Sequence, residues 1–375
     1  MKQNLLKKLT RPKKSHLTLA IVLCFVLFNF SCKKLGVIDP LKDHNSSPGP
    51  KNEPAPSLVE YNFDNDSNSG LMFQDGESMA LLTSEARRYE IGKVLRVKAV
   101  DTTTIEVANF APVDILDATI LLTIEGQAKP IKLFRVGKIR AHAIKVIPYS
   151  FIKGSTKFIN TDNQVVDLVQ YKTTGIPTNK VSFDFTGTTD LIIKLKSLAK
   201  LKWKVKYQDF DPTDNPKDNW KDNIDARDVR RFTGLMINLA YMLQADTTQK
   251  VFLAEPITDN NKVLMTTAQK QQAFNSILDI PKFNCGVVVN VSGLGGGSTY
   301  GLADYLLVKY MTKNICFEAV HEIGHMVGFS HSSSMTYPSS DNRGAVVATG
   351  NVYLMMIAKG LLPIKTSNYY KPSDL

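Results

Sequence analysis

Three histidines and a glutamate fall within eleven residues, in the order HEIGHMVGFSH from His321 to His331. On a helix, positions i and i+4 share a face, so His321 and His325 can aim two imidazoles at one point. Two ligands do not fill a tetrahedron, and a straight helix would carry His331 roughly 15 Å beyond His321. Gly328 lies between them, and glycine can take the left-handed conformation that ends a helix and turns the chain back. Three neutral nitrogens with an open fourth position describe a catalytic zinc, whereas structural zinc sites are closed and rich in cysteine. Water at such an ion is acidified toward a pKa of about 7. Glu322 adjoins the first ligand, where it can take that water's proton and pass it to a leaving amine. The chemistry indicated is hydrolysis of peptide bonds, with Zn2+ as cofactor and a protein or peptide as substrate.

The histidine pair, the glycine turn, the third histidine and the following SSSMTYP at 332–338 resemble the metzincin clan of zinc endopeptidases. The resemblance implies that Met335 forms a methionine-containing turn beneath the metal. It also implies that Tyr337 stands where astacin-like and serralysin-like members carry a tyrosine that contacts zinc and steadies the oxyanion. Simple packing is the other role open to Tyr337. Only three residues separate His331 from Met335, so the connection below the metal must be tight. HEIGH followed closely by HSSSMTYP is also similar to metallopeptidase lipoproteins of Bacteroidetes. These likenesses cover about residues 315–340.

The elements that must position this motif can be read around it. ICFEAVHEIGHMVGF is apolar and compatible with a helix. Val229, Phe232, Met236, Leu239 and Leu243 recur at steps of three and four, which predicts an amphipathic helix over 225–244. KVFLA at 250–254 reads as a short strand, Thr266 with Gln269 as the cap of a helix running to about Ile280, and CGVVVNVSG at 285–293 as a buried strand. GLGGGST at 293–299 lacks the Gly-Lys-Ser/Thr of a phosphate loop. It reads as a surface loop close enough to the motif to reach a cleft rim. An extended substrate is expected to add beside an edge strand. Glu318, one turn before His321, reads as a solvated or supporting carboxylate.

Upstream, from Leu58 to about Phe210, the pattern is period two. Short runs such as LRVKAV (95–100), ATILLTIEG (118–126), IKLFRV (131–136), AIKVIPYSF (143–151), VSFDF (181–185), LIIKLK (191–196) and KWKVKYQDF (202–210) predict an antiparallel sandwich. His142, alone among strand residues, reads as structural. DPTDNPKDNWKDN at 211–223 reads as the crossing to a second unit. The expected fold class is therefore multidomain: an all-β sandwich over 58–210, then an α/β (α+β) metzincin-like catalytic domain over 211–375.

The first 31 residues read as an export signal. Six cations without an acid precede the apolar run LTLAIVLCFVLFNF, which ends at Ser31-Cys32 and is short for a bilayer span. The arrangement resembles a bacterial lipoprotein signal with Cys32 as the acylated residue; an uncleaved N-terminal anchor and plain secretion are the other readings. Residues 32–57, rich in proline and polar residues, predict a flexible tether. The expected location is the cell envelope, at the outer membrane facing the periplasm, with the membrane met through the N-terminal lipid.

Removing the signal takes six of the +11 formal charges and leaves +5. Over roughly 340 residues that surplus does not suggest a nucleic-acid partner. Cys285 and Cys316 either pair as a disulfide in an oxidising compartment or remain two buried thiols. A rival to the peptidase reading is an envelope binding or adhesion lipoprotein with a residual metal site. The intact Glu322 argues against it.

Overall fold

The computed structural model describes residues 56–208 and 219–375. The signal segment, Cys32 and all but the end of the tether lie outside the described residues. Alternating apolar residues build two sheets in the first half. In the strand Ile115–Ile124, Ile120, Leu122 and Ile124 are buried; in its antiparallel partner Ile131–Ile139, so are Ile131, Leu133, Val136 and Ile139. This pair centres a six-stranded sheet that continues to Lys157–Asn160 and Val165–Asp167 on one side and Val181–Thr186 on the other. Glu60–Phe63 runs parallel to Ile131–Ile139. A four-stranded antiparallel sheet is ordered Gly70–Leu71, Ala143–Pro148, Thr104–Asn109, Leu95–Ala99.

A third sheet, of five strands, carries the C-terminal half. Its order is Gly293–Gly296, Thr299–Ala303, Lys282–Val288, Lys204–Tyr207, Tyr89–Glu90. The three middle strands are parallel, and each edge strand is antiparallel to its neighbour. The chain is thus mixed α+β. The expected junction at 210/211 does not separate two cores. Lys204–Tyr207 and Tyr89–Glu90, from one side of it, share this sheet with Lys282–Val288 from the other, and one buried apolar cluster among the described residues reaches from Phe63 to Tyr369. The buried Arg230 adds a tie: its guanidinium donates to Asp374 at 2.7 Å, to the Phe73 carbonyl at 2.7 Å and to Asp75 at 2.9 Å.

The helix Ala226–Leu243 lies where its apolar spacing puts it and starts at a reciprocal Asp225/Asp228 capping box. Thr266 and Gln269 form the same device ahead of Thr267–Leu278. Three local expectations are corrected. LIIKLK is the helix Asp190–Ser197, not a strand: the Thr189 side chain caps Ile192 N, Lys194 pairs with Asp190 one turn back, and Ile192 and Leu195 are buried together. KVFLA completes the helix Asp246–Ala254, in which Thr248 and Phe252 bury one face. GLGGGST is two strand ends, Gly293–Gly296 folding back on Thr299–Ala303. No helix of the described residues is long and apolar enough to cross a membrane.

Candidate metal centre

The helix Cys316–Met326 carries the first two histidines, and Gly328 ends it. Gly328 has φ +91°, its N–H donates to the His325 carbonyl at 3.0 Å, and the Phe329 N–H donates to the Gly324 carbonyl at 3.0 Å. This pair of bonds is a Schellman stop, and it sends the chain back beneath the helix. His331 thereby joins the others: one ring nitrogen from each of His321, His325 and His331 lies within 4.8 Å of the other two.

Two of the imidazoles are held by backbone carbonyls. His321 Nδ1–H donates to the Thr336 carbonyl at 2.8 Å, and His325 Nδ1–H donates to the Phe329 carbonyl at 2.6 Å. Each bond fixes the neutral tautomer with a bare lone pair on Nε2. Those two Nε2 atoms face each other 3.0 Å apart. Two lone pairs so close repel unless a cation lies between them, so the donor set fits a metal ion. His321 and His325 also resist protonation. Burial lowers the pKa of both, that of His321 to about 4.

Met335 is 0 % exposed beneath this cluster, in a turn closed by Thr336 Oγ1 donating to the carbonyls of Ser330 (2.8 Å) and Ser333 (3.1 Å). The three-residue connection is tight enough that Ser333 N–H bonds back to Ser330 O at 3.0 Å. Tyr337 follows, 45 % exposed, its ring centroid 4.6 Å from that of His321 and 5.0 Å from that of His331. Glu322 is 5 % exposed, with Oε1 3.9 Å from His321 Nε2. Burial, and secondarily the charge of Glu318, push its carboxyl up to about 8. A dication in the site acts in the opposite direction.

Above the helix runs the edge strand Gly293–Gly296. A Cβ on Gly293 would collide with Glu322 Oε1, and one on Gly295 with the Glu322 backbone carbonyl. Glycine is required because strand and helix touch, so a segment that reads as a loop is one wall of the site. Strand, helix and Tyr337 enclose a cleft of about 670 Å³ that contains all three histidines. No family model, curated protein or solved structure matches the chain.

A clamp on the turn was not legible in the sequence. The segment 255–260 packs against the turn after the helix, where Asn260 bonds to Gly328 and Ser330. Thr258 N–H donates to Ser334 Oγ at 2.7 Å, and Ser333 Oγ donates to the Thr258 carbonyl at 2.6 Å. Glu255 receives Arg343 at 2.8 and 2.9 Å and the Gly344 N–H at 2.9 Å. Cys285 and Cys316 do not pair. Both are buried free thiols, one in the strand Lys282–Val288 and one at the start of the helix Cys316–Met326. Burial pushes both thiols up, that of Cys316 to about 12.

Proposed function

We propose that the chain is a zinc-dependent endopeptidase, in which a metzincin-like catalytic part shares one continuous core with the β-rich first half. It is anchored to the cell envelope through a lipid on Cys32, at the outer membrane on its periplasmic face. The observation that carries the enzymatic reading is the convergence of three imidazoles beside the buried Glu322 in an open cleft.

His321, His325 and His331 are the residues that would hold the ion. Zinc, when bound, supplies Lewis acidity at a scissile carbonyl and makes water a stronger acid. Glu322 accepts a proton from the attacking water and delivers it to the leaving nitrogen. Its burial keeps competing water away and leaves its proton affinity responsive to nearby charge. Tyr337, packed on the rings of His321 and His331, offers its hydroxyl to the oxyanion. Gly293–Gly296 has one unpaired edge, which offers backbone groups to an extended peptide and so aligns it across the cleft.

The test is zinc content and hydrolysis of a mixed peptide library by the full chain. The expected result is one zinc per chain and peptide cleavage, both lost in His325→Ala. Equal zinc in wild type and His325→Ala by elemental analysis would remove the metal assignment. Full zinc without cleavage of any peptide would leave a metal protein that is not a peptidase.

A further inference from the structure

The charge inside the cleft is one-sided. Among the residues lining it there is no lysine or arginine, and the acids are Glu322 and Glu318. Glu322 has a chemical task beside the metal. Glu318 has none: it lies one turn earlier on the same helix face, three residues before His321 and four before Glu322. It makes no ion pair or side-chain hydrogen bond among the described residues, and it is half-buried against the cleft rather than spread in solvent.

Its neighbours form a slot of definite chemistry. Phe317 stacks along His321 with ring centroids 6.5 Å apart and planes at 25°, and it meets Tyr337 edge-on at 6.3 Å. Leu294 and Val291 line the same cleft. An apolar wall ending in an unpaired carboxylate suits a long side chain with a cationic head. The methylene stem packs on Phe317, a guanidinium or ammonium can lie over that ring, and the charge meets Glu318. An acidic substrate side chain placed there would instead face the like charge of Glu318.

On the peptidase reading above, we propose that the cleft selects peptides with arginine or lysine beside the scissile bond, and that Glu318 is the selecting residue. The preference is electrostatic, so it weakens as salt is raised.

The experiment compares three fluorogenic peptides that differ only by arginine, its neutral isostere citrulline or glutamate at that position, using the zinc-loaded full chain. The readout is the ratio of kcat/KM values, which a general loss of activity does not move. Wild type should favour arginine by about tenfold, Glu318→Gln should bring the ratio close to one, and Glu318→Arg should favour glutamate over arginine. An unchanged ratio in Glu318→Gln overturns the proposal. A second arm measures binding of the same peptides to zinc-loaded Glu322→Gln by fluorescence anisotropy, with and without Glu318→Gln. Arginine-selective binding that depends on Glu318, with no peptide hydrolysed by wild type, keeps the selectivity and removes the peptidase reading. Hydrolysis by wild type with equal arginine and citrulline ratios does the reverse.

Discussion

Asn260 Oδ1 accepts the backbone N–H of Ser330 at 2.7 Å, and this one bond ties the residue preceding the third histidine to a segment seventy positions upstream. The same amide donates through Nδ2 to the Gly328 carbonyl at 3.0 Å. Asn260 therefore holds both ends of the turn that swings His331 under the helix, a positioning role. Asn260→Ala should weaken zinc binding about 10–100-fold, the range for removing a group that orients a ligand. Asn260→Asp retains the acceptor for Ser330 and should recover part of it. Competition against a chelator measures both, and wild-type affinity in Asn260→Ala would remove the role.

His142 predicts an acid-sensitive core. It is 1 % exposed, edge-on to Phe73 and Tyr370, and burial together with the charge of Arg230 pushes its pKa down to about 3. The unfolded value is near 6.5, so the stability from keeping this ring neutral is complete above pH 6.5. It is lost as pH falls toward 3, and about 2–3 kcal/mol is gone at pH 4.5. Its φ of +57° makes Asn the substitute that fits the backbone. Urea unfolding at pH 7.0 and 4.5 should show a smaller acid loss in His142→Asn; an equal loss in both proteins contradicts this account.

The thiols give a direct chemical check. Cys285 and Cys316 are buried and unpaired, and a protonated, inaccessible thiol is a poor nucleophile. Iodoacetamide should spare both in the native chain and label both after unfolding without reductant. Labelling that appears only after reduction would mean that the two are bonded.

These sites differ in how far sequence could reveal them. The imidazole cluster was legible because its geometry is local: one helical turn separates His321 from His325, and Gly328 supplies the reversal within six more residues. The capping boxes at Asp225 and Thr266 were legible for the same reason. Asn260 was not, since an asparagine in a polar stretch acquires meaning only when folding brings it to Ser330. Gly293 and Gly295 were read as loop because glycine has low strand propensity, and the Glu322 contact that demands them is tertiary. LIIKLK misled through apolar content; the overlooked signals were the Thr189 cap and the Asp190–Lys194 pair. The acid-rich stretch after 210 suggested a break, yet strands from both sides of it complete one sheet.

The proposed anchor is tested at Cys32. Because Ser31-Cys32 directly follows the apolar run, Cys32→Ser should abolish incorporation of labelled fatty acid and move the full chain out of the detergent phase. Unchanged labelling in that variant would leave the lipoprotein assignment without support.

The last prediction separates catalysis from metal binding. Glu322 lies 3.9 Å from His321 Nε2 and is not one of the three clustered histidines, so Glu322→Gln keeps the size of the side chain while removing the proposed base. Zinc content should stay at the wild-type level while turnover falls about 10²–10⁴-fold, the contribution of a positioned general base. Tyr337→Phe removes only a hydroxyl from a ring that keeps its contacts with His321 and His331. If that hydroxyl meets charge formed only in the transition state, kcat should fall by about 10–10³-fold while KM changes little. Equal turnover in Glu322→Gln and wild type would reject the mechanism. A silent Tyr337→Phe alone would leave the base in place and reduce Tyr337 to packing, because a ring without a catalytic hydroxyl still covers two imidazoles.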